Sequence, residues 1–187
     1  MKIAKSRMLI AYICLPFLFI HLLFYFFSPS KEKIHSDVGD VKEFIYRLLF
    51  DKPYRNVFYY RIGKIHFLFS WILPRCYYMK INQNMSIGLR LKVEHAYNTF
   101  LNAKSIGDDF ACWHNVTVGG LGGKIPTIGN GVTMSCGSSV LGGCKIGNNV
   151  KIGANCVVVK NVPDNATVIG VPARIVRLNG ERVDIKL

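Results

Sequence analysis

The sequence predicts a mainly β protein: a three-sided parallel β-solenoid preceded by an N-terminal hydrophobic helical region. Three observations predict it. Aliphatic residues recur at every sixth position from Ile128 to Val158. Gly and Asn punctuate that run at matching intervals. The first eighty residues carry neither feature, and instead hold one long apolar stretch followed by mixed aromatic and cationic residues.

Residues 8–27, "MLIAYICLPFLFIHLLFYFF", contain no formally charged side chain. As a helix, twenty residues rise about 30 Å, the thickness of a bilayer core. The segment lacks the small-residue cleavage site of a signal peptide, so residues 1–30 are expected to form an uncleaved membrane anchor. Lys2, Lys5 and Arg7 place the N-terminus inside, which would carry the rest outside, whereas the cysteine usage argues for the inside. Pro16 could break the helix and return it to the same side. Residues 31–80 mix aromatics with Arg47, Arg55, Arg61 and Lys64. Short helices broken near Pro53 and Gly63 are expected, either lying in a headgroup layer or capping the next domain.

The solenoid is expected over residues 81–176. From Ile128 the key positions are Ile128, Met134, Val140, Ile146, Ile152 and Val158, with small or aliphatic companions four residues on. Six residues make one short strand and one turn, and three such units return the chain to its starting side one strand spacing higher, about 4.8 Å. Gly and Asn in "IGNG", "IGNN" and "IGAN" are expected to supply positive φ at the corners. Upstream, Ile87 and Val93 fit one register, with companions Leu91 and Tyr97, while Ile106, Cys112 and Val118 fit another. Between Val118 and Ile128 the step is ten, so "GGLGGK" bulges from the coil. Residues 177–187 are expected to be a tail.

Net charge is +13, which favours anionic partners. No finger spacing, aromatic RNP pattern or basic block accompanies it, so no nucleic-acid partner is expected. The six cysteines form no C-x-x-C pair and fit no zinc template, which suits reduced thiols in the cytoplasm and no metal.

His95 lies two residues after Val93 and His114 two after Cys112. Their separation of 19 is one coil plus a one-residue slip, so both should share a face in neighbouring turns. An imidazole so placed can take a proton from an attacking hydroxyl, and the nearby glycine-rich stretch could offer N–H groups to a developing oxyanion. Glu94 is a further candidate to polarise the site. Cys112 falls on an inward position and is not expected to be a nucleophile.

"VEHA", "GDDFACWHNVTVGGLGG", the hexapeptide run and the closing "VIGVPAR" resemble the left-handed β-helix acyltransferases, in the branch of serine acetyltransferase and its polysaccharide O-acetylating relatives. The resemblance covers about half the chain. It implies acetyl-CoA as donor and a homotrimer with active sites between neighbouring subunits. It also implies that His95 is the general base, that Gly119 and Gly120 line the pantetheine arm, and that Ser135 and Ala154 lie beneath CoA. Lys160 and Arg174 are implied partners for its phosphates.

This sequence departs from serine acetyltransferases in three ways. Lys80 stands where they carry an Asp in "D-I-H-P". The loop "GGKIPTIG" lacks their second His, and the long soluble helical domain is replaced by the anchor and aromatic segment. The expected function is therefore acetylation of a sugar hydroxyl on a surface polysaccharide or its lipid-linked precursor, at the inner membrane with the catalytic domain cytoplasmic. His114 would bind the acceptor or share the proton work. Serine acetylation for cysteine synthesis is the alternative; a non-catalytic scaffold is the reading from another class.

Overall fold

The computed structural model describes residues 5–187, with side chains described from Ile13 onward except Leu15. Two units divide the chain between Cys76 and Tyr77.

The first unit is helical. Helix α1 (Lys5–Phe27) continues straight through Pro16, so no re-entrant break occurs there. It is followed by α2 (Lys31–Val38), α3 (Val41–Phe50), α4 (Lys52–Ile62) and a 3-10 turn (Gly63–Leu68). Asp40 caps α3 by accepting from the Glu43 N–H at 2.8 Å. Asp51 caps α4 in the same way through Tyr54, with Pro53 in the first turn where its missing N–H costs nothing. The core is aromatic and aliphatic: Leu18, Ile34, Phe44, Leu48, Val57, Phe58 and Tyr59 are buried. Inside it, Arg61 makes a two-pronged ion pair with Asp37, at 2.8 and 2.9 Å.

The expected bilayer span over 8–27 is not borne out. Among the described residues no helix is long and apolar enough to cross a membrane. Within α1, Leu18, His21 and Tyr25 turn into the unit's own core, and His21 Nε2 lies 3.1 Å from the Tyr59 hydroxyl. The side chains of residues 8–12 and of Lys5 and Arg7, and Lys2 altogether, lie outside the described residues. Anchor and aromatic segment, expected as separate pieces, form one unit.

The second unit is the solenoid. Its three faces are a five-stranded, a four-stranded and a seven-stranded sheet, parallel wherever successive coils stack. Ile128, Met134, Val140, Ile146, Ile152 and Val158 are all at most 3% exposed, so the six-residue step is the inward ladder the sequence predicts. Their companions Val132, Ser138, Val150, Cys156 and Val162 are buried beside them. Positive φ falls on the last residue of each corner motif, at Gly131, Asn149 and Asn155. Gly129 has a different reason to be glycine: a Cβ there would sit 2.7 Å from the Gly147 carbonyl of the next coil.

Two expectations fail at the edges of the run. Tyr97 does not point inward; it is 45% exposed, and Ala96 and Thr99 fill the interior instead. The corner after Val93 is longer than its neighbour, because Leu101 pairs with Val118 while Val93 pairs with Cys112. The steps to those partners are eight residues from Val93 and six from Cys112. The tail is also not a tail. Strands Arg174–Leu178 and Glu181–Lys186 form an antiparallel hairpin that continues the seven-stranded sheet beyond Ala166–Ile169.

Candidate active site

His95 and His114 are brought to one corner of the solenoid. Strand Lys92–Val93 pairs with Ala111–Cys112 in register Val93↔Cys112, and each histidine follows by two residues. The Glu94 N–H donates to the Cys112 carbonyl at 2.9 Å, which keeps the coils aligned as the chain leaves the strand. Both histidines are exposed. The Asn115 N–H donates to the Tyr97 carbonyl at 2.9 Å, so Tyr97 is the residue in line with His114, and His95 stands in the longer stretch of the corner just before it. His95 takes φ +50, a left-handed conformation that most corners here assign to Asn, Asp or Gly. The strained corner turns outward and its carbonyl accepts from the Tyr97 N–H at 2.6 Å.

The column continues past His114. Cys112 pairs with Met134 and Met134 with Ile152, so Cys136 and Ala154 occupy the same corner in the next two coils. The Gly137 N–H donates to the His114 carbonyl at 3.1 Å, and the Asn155 N–H to the Cys136 carbonyl at 3.0 Å. Half-buried Cys136 beside His114 was missed by the sequence reading. The signal existed, since Cys136 follows Met134 by the same two residues, but the long step across the glycine loop hid it. One position earlier in each coil stand Glu94, Trp113, Ser135 and Gly153. Glu94 and Ser135 are therefore neighbours of the histidine column, half-buried at its edge.

Gly119 and Gly120 are not beside the histidines within one chain. Gly119 closes strand Thr117–Gly119, in register with Leu141. From His114 the chain passes the turn at Asn115, where φ is +57, before it enters that strand. The two features occupy opposite ends of one face of the prism. The loop itself is a tight hairpin: Leu121 and Lys124 exchange backbone hydrogen bonds at 3.0 and 3.2 Å, with Gly122 and Gly123 both at positive φ. A Cβ on Gly119 would meet only ordinary contacts, at 3.7 Å and beyond.

The glycine corner carries cations. A cleft of about 620 Å³ is lined by Lys124, Lys160 and Lys186, with Gly143 and Asn161 between them. Lys160 thus sits where an anionic group could be held. Arg174 does not: its guanidinium is engaged by Asp184 in a bidentate ion pair across the C-terminal hairpin, Nε to Oδ1 at 2.7 Å. That bond holds the Asp184 carboxyl below its usual range. A phosphate would have to displace this carboxylate, which removes the main reason for expecting Arg174 as its partner.

Burial pushes the Cys112 thiol up to about 12 and Cys156 up to about 11. Neither supplies a thiolate near neutral pH.

Residues 125–160 match the Hexapep family, bacterial transferase hexapeptide (six repeats). The chain is 41% identical over 110 residues to the serine acetyltransferase of Staphylococcus aureus (strain Mu50 / ATCC 700699), covering 56% of this chain and 52% of that protein. The likeness is to the hexapeptide-repeat acyltransferases. The chain spans about half the length of the curated relative it matches. Among solved structures, Neisseria gonorrhoeae serine acetyltransferase in complex with serine superposes with a TM-score of 0.66 at 26% identity, over 82% of this chain and 72% of that one. A serine acetyltransferase complex with CoA superposes at 0.67 and 25% identity, over 84% and 74%. Both likenesses take in more of the chain than the solenoid unit, so helical residues fall within them.

Proposed function

We propose that this chain is an acetyl-CoA-dependent O-acetyltransferase in which His95 is the general base. The observation that carries the reading is the Val93↔Cys112 register, which delivers two exposed histidines to one corner as the chain leaves the paired strands. His95 takes the proton as the acceptor oxygen attacks the thioester carbonyl carbon; the imidazolium returns it to the leaving thiolate. His114, one coil away, orients the acceptor.

The donor fits the opposite corner. Acetyl-CoA carries phosphates at one end and a thioester at the other, and Lys124, Lys160 and Lys186 provide cations beyond a glycine-lined strand end. Because the two corners stand apart in one chain, a ring of three copies completes the site by setting the histidine corner of one against the glycine corner of the next.

Serine is the acceptor that the comparisons support. Sequence likeness is to serine acetyltransferases, and a structural neighbour holds serine. The helical segment falls within those likenesses and so no longer counts against it. A sugar hydroxyl is favoured by two observations: Lys80 stands on the five-stranded sheet in register with Phe100 where an acidic partner for the base is expected, and the hairpin Leu121–Lys124 carries no histidine. Thiol release from acetyl-CoA, measured with free serine and with glycan acceptors, separates the two. Release with neither acceptor, together with no CoA binding by calorimetry, would leave only the scaffold reading.

A further inference from the structure

We infer that the helical unit docks on the surface of an anionic lipid bilayer, with the outer face of α1 in the headgroup layer. Helix α1 has two faces. Leu18, His21 and Tyr25 lie on one and are buried. On the other, Ile13 and Phe17 are each 68% exposed, Leu23 and Phe26 are exposed, and Phe27 is 78% exposed. No charged residue interrupts residues 8–27. Phe69 stacks on Phe24 at 5.3 Å and brings the 3-10 segment alongside, where Phe67, Leu68 and Trp71 are also exposed. A face of this size and aromatic content marks an interaction surface, and a helix lying in the membrane plane places it without crossing.

Charge identifies the occupant. Through Cys76 the sequence holds twelve Lys and Arg against five Asp and Glu. Four of those acids are engaged within the unit: Asp37 by Arg61, Asp40 and Asp51 as helix caps, and Glu43 by Arg47. Lys31, Lys42, Lys52 and Lys64 stand exposed. Lys31 opens α2 four residues after Phe27 closes α1, and Lys64 adjoins the exposed Ile65. A second copy covering this face would bring like charge against like charge. An anionic leaflet attracts the cations while its acyl boundary accepts the phenyl rings.

The test is flotation of the full chain with vesicles of phosphatidylcholine alone and with roughly 30% phosphatidylglycerol added. The chain should float with the anionic vesicles. A Phe17→Asp/Phe27→Asp variant should lose binding at least tenfold. A Lys31→Glu/Lys64→Glu variant, or high salt, should weaken it several-fold. Solution mass by light scattering should be the same for all three proteins. Wild-type chain that stays with the dense fraction overturns the inference, as does a Phe17→Asp/Phe27→Asp variant that floats unchanged. A variant of lower solution mass also overturns it, by assigning the face to a second copy. None of these readouts depends on acetyl transfer.

Discussion

At His95 the backbone and the chemistry pull in different directions. Its φ of +50 belongs to the left-handed region, which costs a non-glycine residue about 1 kcal/mol and which Asn tolerates best. The other left-handed non-glycine positions here are Asn and Asp, apart from Arg90, so Asn is the replacement that the turn accepts most readily. His95→Asn keeps the corner and removes the base; kcat should fall at least about 10²-fold while the melting temperature holds. His95→Ala should lose the same activity and about 1 kcal/mol of stability besides. Turnover near wild type in the Asn variant would dismiss the assignment. A spacing of 19 predicts His95 and His114 at one corner, but it does not show the structural cause of the slip. A longer corner after Val93 and a shorter one after Leu101 together leave a net slip of one residue. Sequence shows only the difference, so the spacing predicts Tyr97 inward where the extra length turns it out.

A second histidine sets a pH dependence. His21 is buried, and burial with the Arg55 charge holds its pKa near 4. Tyr59 donates its hydroxyl proton to the Leu73 carbonyl at 2.8 Å, so the His21 Nε2–H donates to the Tyr59 oxygen and Nδ1 is left buried without a partner. Protonation would add a second buried N–H with no acceptor. The unfolded chain, with an ordinary value of 6.5, therefore binds the proton first as pH falls. This contribution to stability is complete above about pH 6.5 and is lost progressively towards pH 4, on the order of 3 kcal/mol in all. Burial lowers His66 as well, in the same sense. Denaturation at pH 7 and pH 5 should show the helical unit weaker at pH 5, with a smaller difference in His21→Leu. Equal differences in the two proteins would remove His21 as the cause.

At the scale of elements, two glycines separate folding from function. Gly129→Ala forces a Cβ against the Gly147 backbone of the next coil, where nothing flexible can yield. It should cost about 2–4 kcal/mol of solenoid stability. Gly119→Ala meets only ordinary contacts, so the fold should be unaffected while KM for acetyl-CoA rises. An unchanged KM would take Gly119 out of the donor site. The inward ladder was the most legible element because its period sets which residues are buried, and that constraint repeats in every coil. The C-terminal hairpin carried a signal of its own: Asn179-Gly180, both at positive φ, is the two-residue turn that joins antiparallel strands. It was read as a tail because the hexapeptide period stops before it. The membrane span was misread for a related reason: hydropathy records apolar residues without saying whether they face lipid or, as with Leu18 and Tyr25, the unit's own aromatic core.

At the scale of the whole molecule, the proposed function sets the histidine corner of one copy against the glycine corner of another. If each site takes its base from one subunit and its donor groove from the next, two different inactive chains can restore activity together. His95→Asn lacks the base; Gly119→Trp fills the groove. Co-expressed in equal amounts and assembled at random, they place an intact histidine corner against an intact glycine corner at about a quarter of all interfaces. Activity should rise from near zero in each parent to about that fraction of wild type. Were both halves drawn from a single chain, every copy would carry one lesion and the mixture would stay as inactive as its parents. Light scattering on the same sample fixes whether three copies are present, so a silent mixture of proven trimers would remove the shared site rather than the assembly.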